Sequence, residues 1–377
     1  MDSASDAVKL SGNIPPPPAG NDVREKLLKM FDETKAGVKG LVDAGVDGLP
    51  EIFVHPPDHR AKPAADAAAA DHGPKVPLID LDGVASGDSR RKIVEEVLAA
   101  CQEWGFFYVV NHGIPGGVLE EAMEAVRRFH EQDVGEKKKI YSRDMKTKVR
   151  YNSNHGLHNC RAAAWKDTRY IEFDGVLKEE DIPHVCRKSL WEYRERMVNV
   201  GLTLGEILSE ALGLPPDHLQ RLGHMEDQYM FAHYYPPCPS PELTLGSAPH
   251  GDPSFITLLV QDSVGGLQCL HHDRWVNVDP VDGALIVNVG DIMQIVSNGR
   301  LRSPKHRVLS SKKGPRISVA SFFARKKFAK EPMGPIQELL SENNPAIYRQ
   351  ISNKEFLESY NSKYHEVIRI PDLFKLS

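Results

Sequence analysis

The segment His250-Gly251-Asp252, with His306 further along the chain, offers two imidazoles and one carboxylate. That is the ligand set of a facial triad, which holds a metal on one side and leaves three positions open for substrates and oxygen. His250 and Asp252 are two apart, so on extended backbone both side chains leave the same face. One short segment then supplies two ligands, and His306 must arrive on a strand distant in sequence but adjacent in space. Ten positions after His306, Arg316 and Ser318 repeat the i, i+2 spacing. On one face of a strand they can hold a carboxylate, Arg by a two-pronged charged hydrogen bond and Ser by its hydroxyl. A metal with open positions beside such a clamp describes an iron enzyme whose co-substrate is an acid. The His-x-Asp pair is weak alone. In a chain with 16 His such pairs arise by chance, and most are surface or capping residues.

The surrounding elements strengthen it. Phe255–Val260, Gly283–Gly290 and Arg316–Phe323 read as strands, separated by Gly, Pro and Asn-Gly turns. Such strands describe a jelly roll, in which a triad of this kind lines the barrel mouth. The pattern predicts barrel strands at Gln228–Tyr235, Phe255–Gln261, Leu267–Leu270, Trp275–Asn277, Ala284–Val289, Met293–Val296, His306–Leu309 and Arg316–Phe323. The expected class is α+β, a double-stranded β-helix (jelly roll) core with flanking N- and C-terminal helices.

Several phrases, in one order, resemble the plant 2-oxoglutarate- and Fe(II)-dependent dioxygenases over about 300 residues. They include Trp104-Gly-Phe-Phe-Tyr-Val-Val-Asn-His-Gly113, His233-Tyr-Tyr-Pro-Pro-Cys-Pro239, Pro249-His-Gly-Asp252, Asn288-Val-Gly-Asp291, Lys305-His-Arg-Val308 and Arg316-Ile-Ser318. The leader phrases Phe31-Asp-Glu-Thr-Lys-Ala-Gly-Val-Lys-Gly-Leu-Val42 and Pro50-Glu-Ile-Phe-Val-His-Pro-Pro57 are similar to the group named as homologues of aminocyclopropane-carboxylate oxidase, which includes benzoxazinoid-glucoside hydroxylases of grasses.

The resemblance implies Fe(II) held by His250, Asp252 and His306, with 2-oxoglutarate and O2 as co-substrates. It implies that Arg316, Ser318 and Tyr235 bind the far end of 2-oxoglutarate. His233 stands where many relatives carry Asn, and is expected beside the co-substrate rather than as a fourth metal ligand. Tyr151 and Phe323 are the candidates for substrate contacts, with a core role an equal expectation for Phe323. The implied reaction oxidises a small plant metabolite, such as a benzoxazinoid glucoside or another phenolic or indolic compound, and releases succinate and CO2. Alternatives are an ascorbate-dependent oxidase of the aminocyclopropane-carboxylate type, or a non-catalytic jelly-roll binding protein. In the first reading ascorbate serves at most as a reductant.

Of 377 residues, 41% are apolar and 26% charged, as in ordinary globular proteins. A net charge of −5 argues against nucleic acid as a partner. Lys137-Lys138-Lys139 and Arg325-Lys326-Lys327 are expected to be solvated faces. Five cysteines at 101, 160, 186, 238 and 269 form no Cys-x-x-Cys and suggest neither disulfides nor a zinc site. No apolar run approaches a membrane span and no signal region opens the chain, so the cytoplasm is the expected compartment.

In chain order, residues 1–75 are expected to be a leader with one helix, Val23 to Ala44, a polyproline stretch at Pro15–Pro18 and an Ala-rich link at Ala64–Ala70. Residues 76–225 form a helix-and-strand region, 226–326 the Fe(II)/2-oxoglutarate jelly roll, and 327–377 a helical tail. His112 reads as a turn residue bonded to backbone. His155 and His158 lack a carboxylate at metal spacing, and the stretch from Lys146 to Ala164 is placed over the site mouth.

Overall fold

The computed structural model describes residues 21–60, 75–225, 227–325, 330–363 and 368–376. The polyproline and Ala-rich stretches, and Lys326 and Lys327, lie outside them. The N-terminal helix is two: α1 (Asn21–Glu33) and α2 (Gly37–Asp43). Helical spacing continues across the break, but Lys35 and Gly37 have φ of 52° and 71°. The reason is a capping carboxylate. Asp167 accepts the N–H groups of Val38 and Lys39 at 2.8 Å each, and a Cβ on Gly37 would lie 2.4 Å from its Oδ1.

Then follow β1 (Leu78–Asp80), α3 (Gly87–Glu103), β2 (Phe106–Val110), α4 (Gly116–Glu131), α5 (Val134–Lys138), β3 (Val149–Asn152) and β4 (Asp167–Phe173). The chain continues through α6 (Arg187–Ala211), α7 (His218–Arg221), β5 (Asp227–Tyr235), β6 (Leu245–His250), β7 (Ile256–Gln261), β8 (Leu267–His271) and β9 (Arg274–Asn277). It ends with β10 (Leu285–Val289), α8 (Asp291–Val296), β11 (His306–Leu309), β12 (Arg316–Ala324) and α9 (Asn353–Lys363).

The strands form two sheets, ordered β1-β2-β10-β7-β12-β5-β4-β3 and β6-β11-β8-β9. Their inner faces meet where Phe106, Tyr108, Tyr235 and Ile286 of the larger sheet pack with Leu267, Cys269 and Val308 of the smaller. The outer face of the larger sheet buries Met230, Val319 and Phe323 against α3, α4 and α6. This is the expected jelly roll with helical cover. Alternation along the strands of the larger sheet therefore sorts residues between a helix-covered face and the space between the sheets.

Three local expectations are corrected. Met293–Val296 belongs to α8, in which all six residues are buried, so the short apolar run carries no period to separate helix from strand. Among its described residues the tail contains one helix, α9, with irregular chain and single turns around it. Lys137 is buried rather than solvated, and its ammonium donates to the His130 carbonyl at 2.7 Å. His112 holds its turn as expected, with Nε2 2.9 Å from the Gly283 carbonyl. All five cysteines are free. No helix among the described residues is long and apolar enough to cross a membrane.

Candidate active site

β6 and β11 are adjacent, and their register places His250 opposite His306. Asp252 follows β6 by two residues. Its Oδ1 lies 3.8 Å from His250 Nε2 and 3.5 Å from His306 Nε2. The residue between His250 and Asp252 is glycine, where a Cβ would meet Asp291 Oδ1 at 2.9 Å, so this loop can lie close against α8.

The carboxylate is fixed from behind. Asp252 Oδ2 accepts Thr257 Oγ1 at 2.7 Å and Asn288 Nδ2 at 2.8 Å, while buried Oδ1 has no hydrogen-bond partner. Burial opposes its ionisation, but His306, His250 and the Asn288 amide outweigh that and hold the carboxyl below its usual range. Burial, reinforced by His306, pushes His250 down to about 3, so its imidazole is neutral at pH 7. His250 Nδ1 sits 2.8 Å from the Ala248 carbonyl, which assigns the proton to Nδ1 and the lone pair to Nε2. An orphaned buried carboxylate oxygen between two imidazole nitrogens fits a divalent metal with an open side.

A second group with ligand atoms within 4.8 Å of one another is Glu103, His271 and His272. It differs in kind: Glu103 is exposed and already bonds His272 Nε2 at 2.8 Å.

Arg316 and Ser318 share the inner face of β12, as their spacing predicted. The Arg316 guanidinium donates to Gly265 O at 2.6 Å, Gln261 Oε1 at 2.8 Å and Ser318 Oγ at 3.0 Å. It lies over the Tyr235 ring, 4.8 Å from the centroid. These three contacts fix a buried fork and leave part of its donor set for an anion. Across β5, Ser318 pairs with His233, and His233 pairs with Thr168 of β4. His233 Nδ1 is 2.9 Å from Thr168 Oγ1, and burial with nearby Lys166 and Arg316 keeps the ring neutral. His233 is thus in the row beside Ser318, and it is not one of the three residues whose side-chain atoms gather around Asp252 Oδ1.

Tyr151 and Phe323 are not brought to this face. Tyr151 is fully buried toward α4, and its hydroxyl donates to the Ala36 carbonyl at 3.0 Å. Phe323 is five residues from Ser318, so it leaves the opposite face of β12, and it packs on Gly201 of α6. Its neighbour Phe322 faces inward, 4.9 Å from Phe231 at 63°. The stretch from Lys146 to Ala164 packs partly on the N-terminal helices, with Leu157 in one cluster with Phe31 and Phe53.

Sequence reading missed Thr257 and Asn288, although an Asn inside the apolar run of β10 was a legible oddity. It also missed Lys166. This residue precedes β4, shares the parity of Thr168, and donates from Nζ to Ser247 Oγ at 3.2 Å. Nothing in its local sequence marks it.

With this geometry the family comparisons agree. The family model of the 2OG-Fe(II) oxygenase superfamily matches residues 226–325, and that of the non-haem dioxygenase in morphine synthesis N-terminal region matches residues 76–192. The chain is 46% identical over 344 residues to 1-aminocyclopropane-1-carboxylate oxidase homolog 1 of Arabidopsis thaliana, covering 90% of this chain and 93% of the relative. It is 43% identical over 338 residues to deacetoxyvindoline 4-hydroxylase of Catharanthus roseus, covering 88% and 84%. Among solved structures, JOX2 in complex with 2OG, Fe and JA aligns with a TM-score of 0.79 at 29% identity, covering 90% and 98%. The rice dioxygenase for auxin oxidation aligns with a TM-score of 0.66 at 25% identity, covering 80% and 100%. The chain belongs to the 2OG-Fe(II) oxygenase superfamily, and it is a 2-oxoglutarate-dependent dioxygenase that uses Fe(II).

Proposed function

We propose that this dioxygenase hydroxylates a small specialised metabolite of plants, at a site where His250, Asp252 and His306 hold Fe(II). The observation that carries the metal assignment is the unpartnered, buried Oδ1 of Asp252 beside the Nε2 atoms of both histidines. With 2-oxoglutarate and O2, bound Fe(II) supplies the oxidising power: one oxygen atom enters the metabolite and the other enters succinate, with release of CO2.

The chain's own residues supply position. Thr257 and Asn288 aim the Asp252 carboxylate, and Ala248 sets the tautomer of His250. Arg316, Ser318 and Tyr235 bind the far carboxylate of 2-oxoglutarate, with Gly265 and Gln261 holding the guanidinium in orientation. The packed residues between the sheets, Val308 and Leu267 among them, keep water from that end. His233 contributes the wall beside the co-substrate, fixed by Thr168.

Hydroxylation is the reaction named for the Catharanthus relative, and phenolic or indolic metabolites, benzoxazinoid glucosides among them, are the substrate classes to try. The test is to incubate Fe(II)-loaded protein with 2-oxoglutarate, O2 and a plant metabolite extract. Extract-stimulated succinate, with one metabolite gaining oxygen, supports the reading. Turnover with ascorbate and no succinate from an iron-replete protein would replace it with the ascorbate-dependent oxidase.

A further inference from the structure

β5 is hydrogen-bonded along both edges, yet its accessibility alternates. Tyr229, Phe231 and His233 keep part of their surface open, while Met230, Ala232 and Tyr234 are buried. The inward side chains of this interior strand therefore border space that solvent reaches. On β12 the same inward face carries Phe322, also partly open. Phe231 and Phe322 meet edge to face and form an apolar floor beside His233.

Lys166 enters this space. Its ammonium donates to Ser247 Oγ at 3.2 Å, and among the described residues it makes no ion pair. Burial, with Arg316 nearby, lowers its pKa to about 8 while Asp252 counters them, so the amine is still mainly protonated at pH 7. A half-buried ammonium without a carboxylate is costly, and the cost is removed when an anion arrives.

The other charges on this face are already matched. Arg150 stacks on Tyr170, 3.6 Å from the ring centroid, and faces Glu172. Asp252 is committed to the metal. In the reading proposed above, the far carboxylate of 2-oxoglutarate goes to Arg316. Lys166 is the cation left over.

We propose that Lys166 is a specificity residue that pairs with a carboxylate of the primary substrate, whose planar apolar body lies against Phe231 and Phe322. This inference rests on the dioxygenase reading of the same site. The carboxylate chemistry has two sources, the substrate or 2-oxoglutarate, and binding measurements separate them.

The experiment is anaerobic calorimetry on the Fe(II)-loaded protein, first with 2-oxoglutarate and then, on that complex, with benzoate, cinnamate and 2-naphthoate and their primary amides. At least one acid is expected to bind roughly tenfold tighter than its amide, the scale of one charged hydrogen bond. Lys166→Met should erase that preference and Lys166→Arg restore it, with 2-oxoglutarate affinity unchanged in both. Phe231→Ala should weaken acid and amide alike. Equal binding of acids and amides to the wild type, or no binding by either, overturns the inference. So does a Lys166→Met variant that loses affinity for 2-oxoglutarate instead. Absence of 2-oxoglutarate binding to the wild type would sink the dioxygenase reading itself, a separate outcome of the first titration.

Discussion

Asp252 and His306 approach at 3.5 Å without a hydrogen bond to Asp252 Oδ1, although Oδ2 of the same carboxylate accepts two. The asymmetry divides the group into a held oxygen and an offered one. Residues that touch only the held oxygen therefore control the aim of the offered one.

Asn288→Ala and Thr257→Val remove those two donors without touching a ligand. Each is expected to weaken Fe(II) binding by about 10- to 100-fold, the usual effect of losing an outer partner of a metal ligand. Competition with a chelator measures it. Unchanged affinity in both variants would mean that the carboxylate is positioned by other contacts.

Arg316→Ala should raise the dissociation constant for 2-oxoglutarate by roughly 100-fold, since a charged bidentate contact is worth a few kcal/mol. Calorimetry on the Fe(II)-loaded variant reads this, and circular dichroism checks that the fold survives loss of the bonds to Gly265 and Gln261. An unaltered constant would place the acid elsewhere.

Phe323 belongs to packing. Phe323→Ala should cost about 3–5 kcal/mol of stability by leaving a cavity under α6, and should leave 2-oxoglutarate affinity unchanged. Gly201→Ala tests the same contact from the helix side. Alanine in a helix normally gains about 1 kcal/mol over glycine, but here its Cβ would fall 2.3 Å from the Phe323 ring. The single variant should lower the melting temperature, and adding Phe323→Ala should recover part of the loss due to Gly201→Ala. Purely additive destabilisation would refute the contact.

Acid sensitivity has a defined sign. Burial pushes His224, stacked on Phe255, down to about 3 against an ordinary 6.5. The unfolded chain therefore binds the proton first. The contribution of this group is complete above 6.5 and is lost as pH falls toward 3, by up to about 1.4 kcal/mol per pH unit. His224→Leu should make the decline of urea-unfolding free energy below about pH 6 shallower by up to one proton. An identical slope would contradict the burial argument.

The jelly roll was legible because short apolar runs separated by turn residues mark its strands, and the pairing of His250 with Asp252 because an i, i+2 spacing puts both on one face. Tyr151 and Phe323 show where the reading stopped. Choosing between Phe322 and Phe323 requires knowing which face of β12 points inward, and Ser318 gives that by parity. Tyr151 lies on the outer face of an edge strand whose partner register no local pattern states. Asn288 and Lys166 act through neighbours remote in sequence, at Asp252 and Ser247. The break between α1 and α2 likewise depends on Asp167, far along the chain. Local periodicity carries no term for such contacts.

The most direct measurement is Fe(II) binding to the wild type and to Asp252→Ala, by anaerobic calorimetry with 2-oxoglutarate present and absent. The account predicts one Fe(II) per wild-type chain, tighter with 2-oxoglutarate, and no measurable site in the variant. A folded Asp252→Ala protein that binds Fe(II) as tightly as the wild type would contradict it.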